Sequence, residues 1–250
     1  MLARIDVRDM QNLRFATFLR VLTVLTGLLI LKVTASVLLG YRDYFPPNFE
    51  SDFLRGREAY FAGPYQWAFY THIASGPVSL VLGLILISQQ FRLRFPKWHR
   101  TLGKTQIAFV LCLLTPSGLW MAYYAETGAV AGVGFSVLAI VTAACAVIGW
   151  RSAMKRRFIE HRRWMSRCFL LLCSAVILRL MGGLATVSEV GGAWSYPLAA
   201  WASWLLPLAV FELSGAIHRQ TRRFGTLDEG HSAPSAVTLS LPAMEISARR

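Results

Sequence analysis

Six apolar runs of about 20 residues each, separated by short blocks of arginine and lysine, constrain this chain more than any other feature. They read as Phe18 to Leu39, Trp67 to Gln89, Lys104 to Tyr124, Ala129 to Trp150, Trp164 to Leu184 and Tyr196 to Ile217. A helix rising about 1.5 Å per residue crosses roughly 30 Å of hydrocarbon with such a run. None has the short alternating segments of a membrane barrel. In lipid the backbone must satisfy its own N–H and C=O groups, so the expected fold is all-α, an integral membrane bundle of six transmembrane helices.

Composition agrees. Of 250 residues only 16% are charged, against about a quarter in soluble domains. A net charge of +13 can mark a nucleic-acid surface, but here the basic residues are confined to blocks between the apolar runs, which argues against nucleic acid. Arg4, Arg8, Arg14 and Arg20 precede the first run, and Arg92, Arg94, Lys97, Arg100 and Lys104 follow the second. Arg151, Lys155, Arg156, Arg157, Arg162, Arg163 and Arg167 lie around the fourth connection, and Arg219, Arg222 and Arg223 follow the sixth run. Alternating helices bring all four blocks to one side. The other side carries Arg42, Arg55 and Arg57 among Asp43, Glu50, Asp52 and Glu58. The positive-inside rule then makes the basic side, with both termini, cytoplasmic, and the expected location is a bacterial inner membrane. The first run exceeds a usual signal core and lacks a small-x-small cleavage site, so it reads as an anchor.

The expected organisation is a cytoplasmic segment 1–17, a transmembrane domain 18–223 and a disordered polar tail 224–250. The outward loop 40–66 is rich in aromatics and suits an interfacial anchor or a lid. Cys112, Cys145, Cys168 and Cys173 fall inside the runs without metal-type spacing and read as packing residues. Pro77, Pro116 and Pro207 interrupt three runs, each removing a donor and able to bend its helix.

Candidate chemistry rests on few side chains. Four of the five histidines, His72, His99, His161 and His218, lie near membrane boundaries. Imidazole moves protons near neutral pH and ligates haem iron. His99 and His161 each open a helix at the basic side as a His-Arg pair, so the two rings can meet across the bundle as axial ligands. Inside the runs the ionisable residues are Lys32, Arg179 and Glu212, each costing about 2.5–3.5 kcal/mol at the bilayer centre and so requiring protein, water or a partner. Arg179, roughly 22 Å along its helix from Trp164, shares a level with Lys32 and His72. Together they make a candidate outer pocket for an anion or a quinone oxygen. The alternative for Arg179 is an ion pair with Glu189 or bonds to backbone carbonyls.

The blocks His72-x-x-x-Gly76, Trp98-His99-Arg100-x-x-Gly103 and His161-Arg162-Arg163-Trp164-Met165, with Arg179 downstream, resemble a bacterial membrane family, domain of unknown function 2306, over approximately Thr71 to Glu212. The resemblance implies a multi-pass membrane protein and supplies no reaction. A looser likeness is to the cytochrome b561 class, which pairs histidines towards both faces; here His72 has no histidine mate. The residues leave two functional readings open. One is redox or proton handling linked to haem b or quinone, with His99 and His161 as haem ligands and His72, Arg179 and Lys32 as an outer pocket. The other is a transporter or receptor for a small anionic ligand, without catalysis. The expected partners are the lipid bilayer and a small-molecule or redox partner; oligomeric state is not legible. No P-loop, nucleophile elbow, zinc-protease helix or dinucleotide fingerprint occurs.

Overall fold

The computed structural model describes residues 7–51, 53–125, 128–189 and 192–231, without the side chains of 7–13, 15, 16, 19 and 217–231. The helices, in chain order, are α1 (Val7–Gly40), α2 (Glu58–Phe61), α3 (Pro64–Ile87), α4 (Gln89–Arg94), α5 (Pro96–Ala108), α6 (Thr115–Tyr123), α7 (Ala129–Met154), α8 (Phe158–Leu172), α9 (Ser174–Val187) and α10 (Ser195–His231). Among the described residues there is no strand beyond one isolated bridge, Tyr44 to Pro47. All six expected spans are helical, with apolar stretches Arg20–Asp43, Pro64–Ile87, Pro96–Tyr123, Ala129–Met154, Phe158–Val187 and Ser195–Ala216, each long enough to cross a bilayer. The chain is a helical membrane protein with several spans.

α10 continues through residues 224–231, the start of the segment expected as a tail. Residues 1–6 and 232–250, the rest of both terminal segments, lie outside the described residues.

Two compact units divide the chain, 1–208 and 209–250. In the first, α3, α5 with α6, α7, and α8 form the four corners of a bundle. α3 and α7 each pack on both α5 and α8, which puts α5 and α8 at opposite corners. α1 lies outside this ring against α3 and α9. Among its described side chains only Ile30 and Thr34 are buried, while Phe18, Val21, Leu22, Leu25 and Leu28 are exposed. That apolar surface would aggregate in water and is the expected outside of a protein dissolved in lipid. Trp201 of α10 fits the notch left by Gly134 of α7 and donates its indole N–H to the Val130 carbonyl at 3.0 Å. The described part of the second unit is the remainder of α10, where the Ser214 hydroxyl donates to the Phe211 carbonyl at 2.9 Å.

Prolines set the irregularities. Pro77 lies inside α3 and cannot donate to the carbonyl of Ile73, four residues earlier. The Tyr41 hydroxyl, just beyond α1, donates to that carbonyl instead, at 2.8 Å. Before Pro116 the chain winds into a π-helix, Phe109–Leu114, and the N–H of Thr115 reaches back five residues to the Val110 carbonyl. A widened turn accommodates the ring and the missing donor of the following proline.

The aromatic loop turns its rings inward. Leu54, Phe61, Tyr65 and Phe69 are almost completely buried, with Tyr44, Phe49, Phe53, Tyr60, Tyr70, Met121 and Tyr124 packed round them. Phe53 stacks on Phe69 at 5.4 Å and Tyr60 on Tyr124 at 4.9 Å. Arg57 is buried with its guanidinium 4.4 Å from the centre of the Phe53 ring. Only part of the loop, such as Phe45, faces outward as an interfacial anchor would. The segment is therefore a packed cap joined to the ends of α3 and α6.

Candidate functional site

The basic end holds the paired histidines. On α8, His161, Met165, Cys168 and Leu172 recur at helical spacing and form one stripe. That stripe lies close to α7 because Gly149 has no side chain: a methyl there would stand 2.7 Å from the Met165 sulfur. The approach brings His161 Nδ1 to 2.8 Å from the Gly149 carbonyl oxygen. A carbonyl can only accept, so Nδ1 carries the proton and Nε2 keeps its lone pair.

His99 occupies the first turn of α5, at the corner opposite α8. Its ring lies within electrostatic reach of His161 and of Arg92. Its Nδ1 is buried and has no protein partner. One turn further along the same face, a methyl at Gly103 would meet no neighbouring atom within 4 Å. Two imidazoles on opposite helices thus lie within electrostatic reach of each other at one end of the bundle. Arg100, Arg162 and Arg163 are exposed at the same end.

A second polar group sits midway along the bundle. Gln106, seven residues and about 10 Å beyond His99 on the same face of α5, is 2% exposed. Its Nε2 donates to the Ser79 carbonyl on α3 at 2.9 Å. Gln106 Oε1 and the Ser79 hydroxyl are both buried without a partner. Leaving such a group dry costs about 1–3 kcal/mol. Neither residue was singled out from the sequence. The signal was the spacing His72, Ser75, Ser79, Gly83 on α3 opposite His99, Gly103, Gln106 on α5, two stripes of small or polar residues at helical periods.

His72 lies nearer the aromatic end. The Ser117 hydroxyl donates its proton to the Leu113 carbonyl at 2.6 Å, so its oxygen receives the Nδ1–H of His72 at 3.2 Å. The Leu114 carbonyl also hydrogen-bonds the ring. Gly118 makes room, since a methyl there would stand 3.3 Å from His72 Cε1.

Arg179 acts electrostatically on both His72 and Tyr41, so the structure brings these three together. Its guanidinium donates to the Ala175 carbonyl at 3.1 Å, the backbone partner that the sequence allowed. Lys32 does not join them. It is exposed, two positions from the buried Ile30 and Thr34 and so about 200° round α1 from each. Its ammonium reaches this level of the membrane on the lipid side of the helix. Tyr41, which sequence reading left among the loop aromatics, takes its place. The side chains of His218 and His231 lie outside the described residues.

Among the described residues no three histidine, cysteine, aspartate or glutamate side chains converge as a metal site. None of the four cysteines is in a disulfide, and Cys145 and Cys168 pack in the main apolar cluster with Val110, Leu171 and Trp204.

No curated protein and no solved structure matches the chain, so the likeness to the cytochrome b561 class gains no support there. Residues 69–214, which run from within α3 through nearly all of the last span and include His72, His99 and His161, match a family described as predicted membrane protein of unknown function. The chain belongs to that family, DUF2306.

Proposed function

We propose that this protein binds a haem b between α5 and α8 at the basic end of the bundle, with His99 and His161 as its axial ligands, and handles electrons in the membrane. What supports the reading is a pair of imidazoles on opposite corners of the bundle, within electrostatic reach of each other, one of them with a buried, unpartnered nitrogen. His161 has the arrangement usual for a ligating histidine, Nδ1–H on a backbone carbonyl and Nε2 available. Gly103 leaves space on the His99 side, and Arg100, Arg162 and Arg163 can meet propionates. A haem so held would supply one-electron chemistry. The chain's own part is to fix both rings and keep one edge of the site at the basic, water-facing end.

The positive-inside rule supports a cytoplasmic basic end, and the membrane proposed is a bacterial inner membrane. A second reading rests on the other end, where His72 and Ser117 stand behind a shallow groove of about 260 Å³ lined by Trp67, Thr71, Pro116 and Trp120. Open to lipid and backed by a neutral imidazole, the groove suits a quinone headgroup. The anion-transport reading is the weaker for the exposure of Lys32.

An absorption spectrum of the full chain purified in detergent from haem-replete cells tests the proposal. A Soret band with α bands on reduction is expected, lost in His99→Ala and His161→Ala and kept in His72→Ala. A colourless wild-type preparation would sink the haem reading.

A further inference from the structure

We infer that the turn between the second and third spans holds one anionic phospholipid, its phosphate on Arg94 and its glycerol and upper chains along Phe91, Leu93 and Phe95. The turn lies at the membrane boundary. α3 and α5 belong to consecutive spans, Pro64–Ile87 and Pro96–Tyr123, and α4 is the short helix between them. The backbone leaves helical angles at Ser88 (φ −65°, ψ 122°) and again at Phe95 (φ −129°, ψ 62°), and the Ser88 hydroxyl accepts the Phe91 N–H at 3.3 Å. α4 packs on both α3 and α5 and so closes the end of the hairpin. Leu93 is 70% and Phe95 43% exposed there. Apolar side chains of this size, uncovered where two spans reach the surface, face acyl chains rather than water.

A hollow of about 680 Å³ opens beside α4, lined by Ser88, Gln90, Phe91, Leu93, Arg94 and Phe95. Its lining is divided by polarity. Gln90 and Arg94, four residues apart, share one stripe of the helix; Phe91 and Phe95 share the next, with ring centres 5.7 Å apart. The polar stripe presents an amide and a planar guanidinium, which meets two phosphate oxygens at once. The aromatic stripe gives the chains a wall. Arg92, two positions from Arg94 and so about 200° round α4, acts on His99 and does not line the hollow. The lipid site therefore shares no residue with the haem site proposed above and does not depend on it.

Charge selects the kind of lipid. From Ala59 to Ala125 the chain has no aspartate or glutamate, while Arg92, Arg94, Lys97, Arg100 and Lys104 follow one another through the turn and the start of α5. On the other turn of this end, Glu160 stands 3.7 Å from Arg157. A phosphodiester without a cationic substituent gains from every one of these neighbours. The ammonium of a zwitterionic headgroup would meet cations and no carboxylate. Clusters of arginine and lysine beside a span suit an anionic lipid for this reason.

Native mass spectrometry of the delipidated full-length protein in detergent tests the assignment, with phosphatidylglycerol and phosphatidylcholine of one chain length offered in equal amounts. One phosphatidylglycerol retained per chain is expected, preferred by about tenfold or more and not displaced by excess inorganic phosphate. Arg94→Gln should lower the preference by about tenfold. Gln90→Glu, which sets a carboxylate one turn from Arg94, should do the same and keeps the test decisive if Arg94→Gln does not fold. Lys155→Gln, which takes one positive charge from the other turn, should leave the preference in place. Equal retention of the two lipids by the wild type would overturn the proposal. So would equal losses in all three variants, since overall charge and not the hollow would then select the lipid. Displacement by inorganic phosphate would make this a site for free anions and would also overturn it.

Discussion

At the residue scale, single hydrogen-bonding groups do most of the positioning. Pro77 could be read directly from the sequence as the removal of one donor, which leaves the Ile73 carbonyl without its helical partner. Its replacement, the Tyr41 hydroxyl, lies 32 positions away from Ile73 and was not legible, because nothing local marks one loop tyrosine among four. Tyr41→Phe is therefore expected to destabilise the protein by about 1–3 kcal/mol, the cost of an unsatisfied buried carbonyl. In a Pro77→Ala background, where the helix regains its own donor, the same substitution should cost much less. Thermal melts of the four proteins in detergent measure the coupling; equal costs in both backgrounds would disprove the compensation. Gly149→Leu should cost about 1–3 kcal/mol by forcing α8 off α7, and should also free His161 Nδ1 from its carbonyl. A nitrogen-15 shift of the His161 ring reports the second effect separately from the melt. Lys32 teaches the opposite lesson: its depth was legible, its direction round α1 was not.

At the scale of elements, the helices follow from length and hydropathy, and what matters is their faces. α3 and α5 carry matched stripes of small and polar residues, and α5 and α8 begin at the same end with histidines on their inner faces. The His-Arg pairs could be found in sequence; that the two helices occupy opposite corners could not, since that depends on which neighbours α3 and α7 choose. The π-helix before Pro116 is another structural outcome. Gln106 and Ser117, eleven residues apart, stand about 20° apart even in an unbroken α-helix, so the widened turn serves the proline rather than the pairing of both with α3. The aromatic loop was legible as interfacial in composition, yet its rings bury one another. Phe61→Ala should cost about 3–5 kcal/mol, as for a buried aromatic. The melt should show that loss, whereas an anchor lying freely on the membrane surface would lose almost nothing.

At the scale of the whole molecule, the charge pattern makes a topological prediction. In intact cells, Glu58→Cys should react with a membrane-impermeant maleimide and Lys155→Cys should not, each in a background without the four native cysteines. The reverse pattern would overturn the orientation and with it the placing of the haem edge toward the cytoplasm. The sequence by itself determined that this is a multi-span helical membrane protein, because runs of about 20 apolar residues leave the backbone only one way to satisfy its hydrogen bonds in lipid. It also determined that the basic residues gather at one end, since charge cannot remain in hydrocarbon at low cost. Tertiary structure alone decided which polar groups meet. Helix rotation and close approach at glycines put His99 near His161, Gln106 on Ser79, and Arg179 with Tyr41 and His72 while turning Lys32 away. Hydropathy is a sum along the chain and carries no record of azimuth; the chemistry of a bundle lies in the azimuth.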